Sequence, residues 1–195
     1  VPNNPLVPVP TKEFRNISEP KYLMFEVLAE RTLAIAQQYR IKNPDEGYSP
    51  FLDSYIIPII DDCLKHNIKI ISNIGAANPL GAAKRILEIA KEQKTRKPKI
   101  GVVVGDDLLE YMTNKEILES PTMEGLDFSN NQITAANVYL GAKPIAEALS
   151  KEADIVVVGR TVDSALALGP LIYEYNWKNE DLNLLGSGTI CGHLL

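Results

Sequence analysis

The stretch IKIISNIGAANPLGAAKRILEIAKEQ, residues 68–93, contains one complete strand-and-helix unit. It opens with a short apolar run typical of a buried strand, and from Pro79 onward its apolar side chains recur at helical spacing. Small and polar residues lie between the two parts, and proline is well tolerated in the first turn of a helix. A strand that leads directly into a helix in this way is typical of a parallel α/β sheet.

The same pattern returns along the whole chain. Strands are predicted at residues 22–27, 68–74, 100–104, 136–140 and 155–158. Because adjacent parallel strands need a helical crossover, the alternation predicts an α/β fold with a mostly parallel sheet and helices on both faces. We expect the open, doubly wound, Rossmann-like arrangement, with part of a (β/α) barrel as the alternative.

The chain is predicted to form a single α/β domain with two less regular parts. Residues 1–17 include four prolines by position 10 and are expected to be a Pro-rich arm. Residues 18–195 form the domain, and its polar, irregular segment 113–132 is expected to be a lid-like excursion over the site. Near the end, GSGT at residues 186–189 predicts a turn before a helix, with an anion-binding loop as the alternative.

Composition limits the function classes. With 195 residues, 45% hydrophobic and 23% charged, the chain is long enough to bury a normal core. A formal net charge of -5 disfavours nucleic-acid binding, and no apolar run reaches the roughly eighteen residues of a membrane span. Cys63 and Cys191 have no metal-ligand spacing and are expected to be free thiols, which favours a cytoplasmic location. The sequence indicates no metal site and no particular cofactor.

Polar side chains follow nearly every predicted strand. The carboxyl ends of parallel strands meet at one edge of a sheet, where α/β proteins bind small molecules. The candidates for proton transfer are Glu26, Asp106 and Asp107. The candidates for substrate binding are Asn73, Asn78, Asn137, Tyr139, Arg160 and Asp163.

Several of these residues also have structural interpretations. Asp106 or Asp107 is equally suited to cap the following helix, and Asn78 to cap the helix that Pro79 opens. Arg160 is spaced to pair with Asp163. We favour a functional role for Glu26, because a carboxylate at the end of a central strand would be costly to bury without a partner.

Six phrases in order carry a family resemblance: YLMFEVLAERTLAIAQ, ISNIGAANP, GVVVGDDLL, ANVYLGAKPIAEAL, DIVVVGRTVDSALALGPLIYEYNW and GTICGHLL. Between Tyr22 and Leu195 the chain resembles the acyclic terpene utilisation, or AtuA-like, family, formerly a domain of unknown function. The resemblance implies the amino-terminal part of a longer protein. It also implies a role in the breakdown of citronellol- and geraniol-type acids, alongside an acyl-CoA carboxylase. It supplies no agreed catalytic residues.

These observations predict an enzyme, a lyase or hydrolase, that acts on a small carboxylic acid or its acyl-CoA thioester by acid/base chemistry. Arg160 would hold a carboxylate or phosphate, while Asn73 and Asn137 would polarise a carbonyl. The expected partners are a small-molecule substrate, with a CoA ester among the candidates, and a second copy of the chain in a homo-oligomer. The alternative is a non-catalytic binding or assembly module associated with an acyl-CoA carboxylase.

Overall fold

The computed structural model describes residues 12–121, 125 and 133–195. Within these residues one sheet is formed by β1 (Lys21–Phe25), β2 (Ile68–Ser72), β3 (Ile100–Val103) and β4 (Ile155–Val158). The strand order is β1-β2-β4-β3, and each neighbouring pair is parallel. The edge strands of this sheet are therefore β1 and β3.

Helices connect the strands, and two further helices follow β4. They are α1 (Glu30–Lys42), α2 (Leu52–Ile56), α3 (Ile60–Lys65), α4 (Pro79–Glu92), α5 (Asn114–Leu118), α6 (Lys143–Ser150), α7 (Ala165–Tyr175) and α8 (Leu182–Leu194), with a 3-10 helix at Leu108–Glu110.

The two faces of the sheet bury separate cores. Ile70 and Val157 pack with α2, α3 and α4 on one face, whereas Ile71 and Val156 pack with α6 and α7 on the other. Successive side chains of a strand point to opposite faces, so both faces of these central strands must be apolar. The predicted α/β fold, an open parallel sheet with helices on both faces, is confirmed, and the barrel alternative is wrong.

The connections define a crevice at the carboxyl edge of the sheet. β2 leads to α4 on one face, while the neighbouring β4 leads to α7 on the other. Such a change of side between adjacent strands leaves an opening between their loops. The loop after β2 packs directly against the last residue of β4, because a Cβ atom on Gly75 would lie 2.6 Å from the carbonyl oxygen of Val158.

Helix α1 lies at this edge and not on a face of the sheet. Its Leu33 and Ala36 form a small cluster with Leu28 and with Ala76 and Ala77 of the loop after β2. This cluster is separate from the two main cores. As a result, α1 brings polar side chains to the ends of the strands.

The predicted strand at 136–140 is wrong. These residues make only isolated bridges, Asp107 with Asn137 and Leu140 with Thr161. Their backbone groups bond to the loops that follow β3 and β4: the Val138 amide donates to Asp106, and the Leu140 amide donates to Arg160. The segment therefore crosses the carboxyl edge and satisfies its hydrogen bonds there.

The predictions for GSGT are also wrong, since residues 186–189 lie inside α8. The hydroxyls of Ser187 and Thr189 donate to carbonyls one helical turn earlier, which leaves the helix uninterrupted. Gly192 allows α8 to approach α7, because a Cβ atom there would lie 2.7 Å from the carbonyl oxygen of Ser164. Gly188 and Gly192 therefore serve helix packing.

Two predicted segments fall partly outside the described residues. The structure does not describe residues 122–124 and 126–132 of the expected lid, which include Met123 and Phe128. It also does not describe residues 1–11 of the Pro-rich arm. The described start of the lid segment contains α5, which Thr113 caps. Lid, arm and domain boundaries stay predictions.

Candidate functional site

A cleft of about 120 Å³ opens between the start of α4 and the loop after β3. Its polar lining is provided by Arg40, Asn78, Asp106, Asp107 and Glu110. The cleft therefore lies at the carboxyl edge of the sheet, where parallel α/β proteins place their ligands.

Asp106 is the buried carboxylate of the cleft wall, with only 4% of its surface exposed. Its Oδ2 accepts hydrogen bonds from the backbone N–H of Arg160 at 2.8 Å and from Asn137 Nδ2 at 3.0 Å. Burial raises the pKa of Asp106, and these two hydrogen bonds offset that rise only in part. Asp106 thus holds its proton to a higher pH than an ordinary aspartate.

Asp107 has a different environment from its neighbour. Its Oδ1 accepts the N–H of Leu109 at 3.0 Å and caps the 3-10 helix. Its Oδ2 lies 3.2 Å from Nη1 of Arg40 and 3.3 Å from Nε2 of Gln37, both on α1. The helix-cap interpretation therefore applies to Asp107, and both aspartates contribute to the cleft lining.

Arg40 joins several parts of the cleft. It donates to the carbonyl oxygen of Ala77 at 2.8 Å and pairs with Glu110 at 2.9 Å, in addition to its contact with Asp107. Its side chain remains 32% exposed. Arg40 is consequently a cation of the cleft lining, and it links α1 to the loops after β2 and β3.

Glu26 and Asn73 connect the ends of β1 and β2. Glu26 Oε1 accepts from Asn73 Nδ2 at 2.8 Å, and Asn73 Oδ1 accepts from the Val27 N–H at 2.9 Å. Asn73 is completely buried, whereas Glu26 is exposed. Glu26 does not follow a central strand as predicted, because β1 is at the edge of the sheet. Both the oxygen and the nitrogen of the Asn73 side-chain amide form hydrogen bonds, and these hold the ends of β1 and β2 together.

Asn78 has the structural role that the sequence allowed. Its Oδ1 accepts the N–H of Gly81 at 2.9 Å and caps α4. Its Nδ2 donates to the carbonyl oxygens of Pro44 and Glu46 at 3.0 and 2.7 Å. The helix-cap interpretation is confirmed, and Asn78 fixes the loop beside the cleft.

The guanidinium group of Arg160 is almost fully buried. It donates through Nη1 to the carbonyl oxygen of Leu28 and through Nη2 to Glu30 Oε1 at 3.1 Å. It lies over the ring of Tyr139, 4.1 Å from the ring centre. Asp163 is more distant, at 3.8 Å, so the predicted pairing with Arg160 is a weak ion pair without a hydrogen bond.

The structure brings part of the predicted site together. Five of the predicted residues belong to one hydrogen-bonded series that passes through Leu28: Glu26, Asn73, Asp106, Asn137 and Arg160. Three of the predicted residues line the cleft: Asn78, Asp106 and Asp107. Outside the cleft lining lie Glu26, Asn73, Asn137, Tyr139, Arg160 and Asp163. The catalytic and binding roles of all nine stay predictions.

Arg40 and Glu110 were not predicted from the sequence. One signal was present, since Gln37 interrupts the apolar stripe formed by Leu33 and Ala36 on α1. A buried polar residue on such a stripe indicates a polar partner. Its partner Asp107 lies 70 residues away in the chain, so spacing alone could not identify it.

The described part of the chain contains neither a candidate metal site nor a helix that could span a membrane. No group of His, Cys, Asp and Glu side chains within residues 12–121, 125 and 133–195 is arranged to hold a metal ion. Over the same residues, every helix is too short or too polar to cross a membrane.

The fold and the cleft define a class: open, doubly wound α/β proteins with a polar cleft at the carboxyl edge of a parallel sheet. Residues 9–195 match the family described as acyclic terpene utilisation family protein AtuA. The chain belongs to this family, which is implicated in acyclic terpene catabolism. The curated proteins and the solved structures provided no match.

Proposed function

We propose that the protein is an acid/base enzyme of acyclic terpene or branched-chain acid catabolism. Its substrate is a small carboxylic acid or the corresponding acyl-CoA thioester, and Asp106 transfers the proton. The reaction class is that of a lyase or hydrolase.

The observation that carries the proposal is the environment of Asp106. A carboxyl group that is 4% exposed, at the wall of a cleft, with a pKa raised by burial is suited to general acid/base catalysis. The backbone N–H of Arg160 and the amide of Asn137 fix its orientation. Oδ2 is held by these two donors, and Oδ1 is the oxygen to which we assign the proton transfer.

The size and charge of the cleft support a small substrate. A volume of about 120 Å³ is below the roughly 300 Å³ of typical ligand pockets, so it suits a short acyl group and excludes the nucleotide part of CoA. Arg40 contributes a partly exposed positive charge to the same lining, where it is paired with Asp107 and Glu110. With a thioester substrate, the CoA group would lie outside the cleft.

Turnover measurements with variants test this function. Free branched acids and their CoA thioesters are incubated with the wild-type protein, Asp106→Asn and Glu26→Gln. Asp106→Asn should lower kcat by about 10²-fold or more while the far-ultraviolet circular dichroism remains unchanged. Glu26→Gln keeps the acceptor for Asn73 and indicates whether Glu26 contributes chemically.

The control is Asp61→Asn, which removes one exposed carboxylate of α3 far from the cleft lining. It should retain wild-type turnover. Equal turnover by Asp106→Asn and wild type would contradict the proposed role of Asp106, and inactivity of the wild-type protein on every substrate would contradict the enzyme assignment.

A second candidate function is a non-catalytic assembly module associated with an acyl-CoA carboxylase. The supporting observation is the apolar surface of α8, where Leu182, Ile190 and Leu194 are 73%, 64% and 83% exposed. Stable association with the carboxylase, weakened by Ile190→Lys, together with absence of turnover would favour this function over catalysis.

A further inference from the structure

We propose that Arg160, Tyr139 and the first turn of α1 form a carboxylate-binding subsite, in which the carboxylate of Glu30 occupies the position of a ligand carboxylate. The proposal deepens the proposed function by assigning the acidic group of the ligand to a subsite outside the cleft lining. The subsite is linked to the cleft through Arg160, whose backbone N–H donates to Asp106 Oδ2. The proposal rests on that function only for the identity of the ligand.

The donors of the subsite converge on one point. Glu30 Oε1 accepts hydrogen bonds both from Arg160 Nη2 at 3.1 Å and from the hydroxyl of Tyr139. These bonds, with the Tyr139 hydroxyl contributing most, lower the pKa of Glu30. A guanidinium and a hydroxyl aimed at one anionic oxygen form an arrangement that recognises carboxylates.

Arg160 retains an unused donor beside this point. Its side chain is only 5% exposed, and Nε has no hydrogen-bond partner among the residues described by the structure. In arginine, Nε and Nη2 point to the same side of the planar guanidinium, which allows them to bind both oxygens of a carboxylate. Glu30 bonds only to Nη2 of this pair. A ligand carboxylate that bonds to both nitrogens would also satisfy Nε, the buried donor that Glu30 leaves without a partner.

Glu30 is suited to be displaced. Its side chain is 75% exposed, although that of its partner Arg160 is buried. Exposed carboxylates contribute little to ion-pair stability, so exchange with a ligand carboxylate is inexpensive. Ala29 at the N-cap of α1 has no side-chain acceptor, which leaves the amino end of a 13-residue helix favourable to an anion.

The surrounding charge favours a carboxylate over a phosphate. Asp163 lies 3.8 Å from Arg160 Nη2, and Glu30 itself remains nearby after displacement. One buried guanidinium therefore faces two carboxylates. A singly charged ligand is less strongly repelled by them than a doubly charged phosphate group.

Calorimetric titration with isovalerate, a small branched carboxylate, tests the subsite. Glu30→Ala removes the competing carboxylate and should lower the Kd by about three- to tenfold. Tyr139→Phe, at a half-exposed ring, should raise the Kd by a similar factor, and Arg160→Lys should raise it further because the paired donors are lost. The neutral amide isovaleramide should not show these changes in Kd among the three variants.

Glu147→Ala is the matched control, since Glu147 is another exposed helical glutamate paired with a cation. It should leave the Kd unchanged. An unchanged Kd in both Glu30→Ala and Tyr139→Phe would overturn the proposal, and so would equal tightening in Glu147→Ala. Inorganic phosphate that binds more tightly than isovalerate, with the same variant pattern, would overturn the carboxylate assignment. Binding is measured without turnover, so these outcomes are independent of the Asp106 assay.

Discussion

Asp106 opposes stability at neutral pH and at the same time lies at the cleft wall. A buried carboxylate costs free energy in its charged form, and its two hydrogen bonds recover only part of that cost. An apolar or amide side chain at this position would avoid the cost. Residues that reduce stability in this way are typical of functional sites.

The pH dependence of stability should reveal this cost. The folded-state pKa of Asp106 is raised, so the proton binds more tightly in the folded protein than in the unfolded chain. The resulting stabilisation is complete below the unfolded-state pKa of about 4 and is lost as the pH rises through the folded-state pKa. The Asp106→Asn variant has no carboxyl group to ionise at this position, so its stability should not fall in this way.

Urea unfolding at a series of pH values measures the effect. Relative to Asp106→Asn, the wild-type protein should become progressively less stable as the pH increases from about 4 towards neutrality. Asp61→Asn, which changes a surface carboxylate, should follow the wild-type curve. If the curves of Asp106→Asn and wild type were parallel throughout, burial would not perturb Asp106.

The sequence allowed part of the site to be predicted. Asp106 could be found because it follows a predicted strand, and Asn137 because it lies in the segment 136–140 that was predicted as a strand. The two side chains form a hydrogen bond. The cap roles of Asp107 and Asn78 were left open, since a side chain that caps a helix and one that faces a ligand occupy the same positions in the sequence. Arg40 could not be predicted, because its role depends on where α1 lies.

Among the elements, α8 depends most on small residues. Gly192 lies against the backbone of Ser164 and the side chain of Ala167, whereas a Cβ atom on Gly186 would extend into space that the described residues leave open. The two glycines are in the same helix, with the same intrinsic preference. They differ only in what surrounds them.

Alanine substitutions should therefore have opposite effects at these positions. Gly192→Ala should cost about 1–3 kcal/mol of unfolding free energy, because α8 must move away from the backbone of α7. Gly186→Ala should add about 0.5–1 kcal/mol, since alanine reduces the entropy lost by the chain in a helix. Urea unfolding measures both. A stabilising Gly192→Ala would contradict the close packing of the two helices.

Elements were predicted best where burial alone determines the pattern. Each residue of β4 is buried, and its continuous apolar run has no other explanation in a parallel α/β chain. The segment 136–140 has a weaker strand pattern, interrupted by Asn137, and its hydrogen bonds go to the loops after β3 and β4. Contacts with residues distant in the sequence keep this segment out of the sheet. Local periodicity carries no information about such contacts.

At the scale of the whole molecule, the strand order brings together the polar groups from different parts of the chain. β2 and β4 are neighbours, although β3 lies between them in sequence. The loops after these three strands can therefore meet at one edge, with Asp106 bonded to the backbone after β4. The alternation of strands and helices predicted the class of sheet, but strand order could not be read from it.

The position of α1 has a consequence for the way the molecule opens. Its apolar contacts form a small cluster of their own, while α4 contributes Ile86 and Ile89 to a main core. The amide hydrogens of α1 should therefore exchange with solvent by local opening, and those of α4 only when the domain unfolds. Hydrogen exchange followed by mass spectrometry separates the two rates, and equally slow exchange in both helices would contradict this. The carboxyl edge would then be uncovered repeatedly while both cores remain intact.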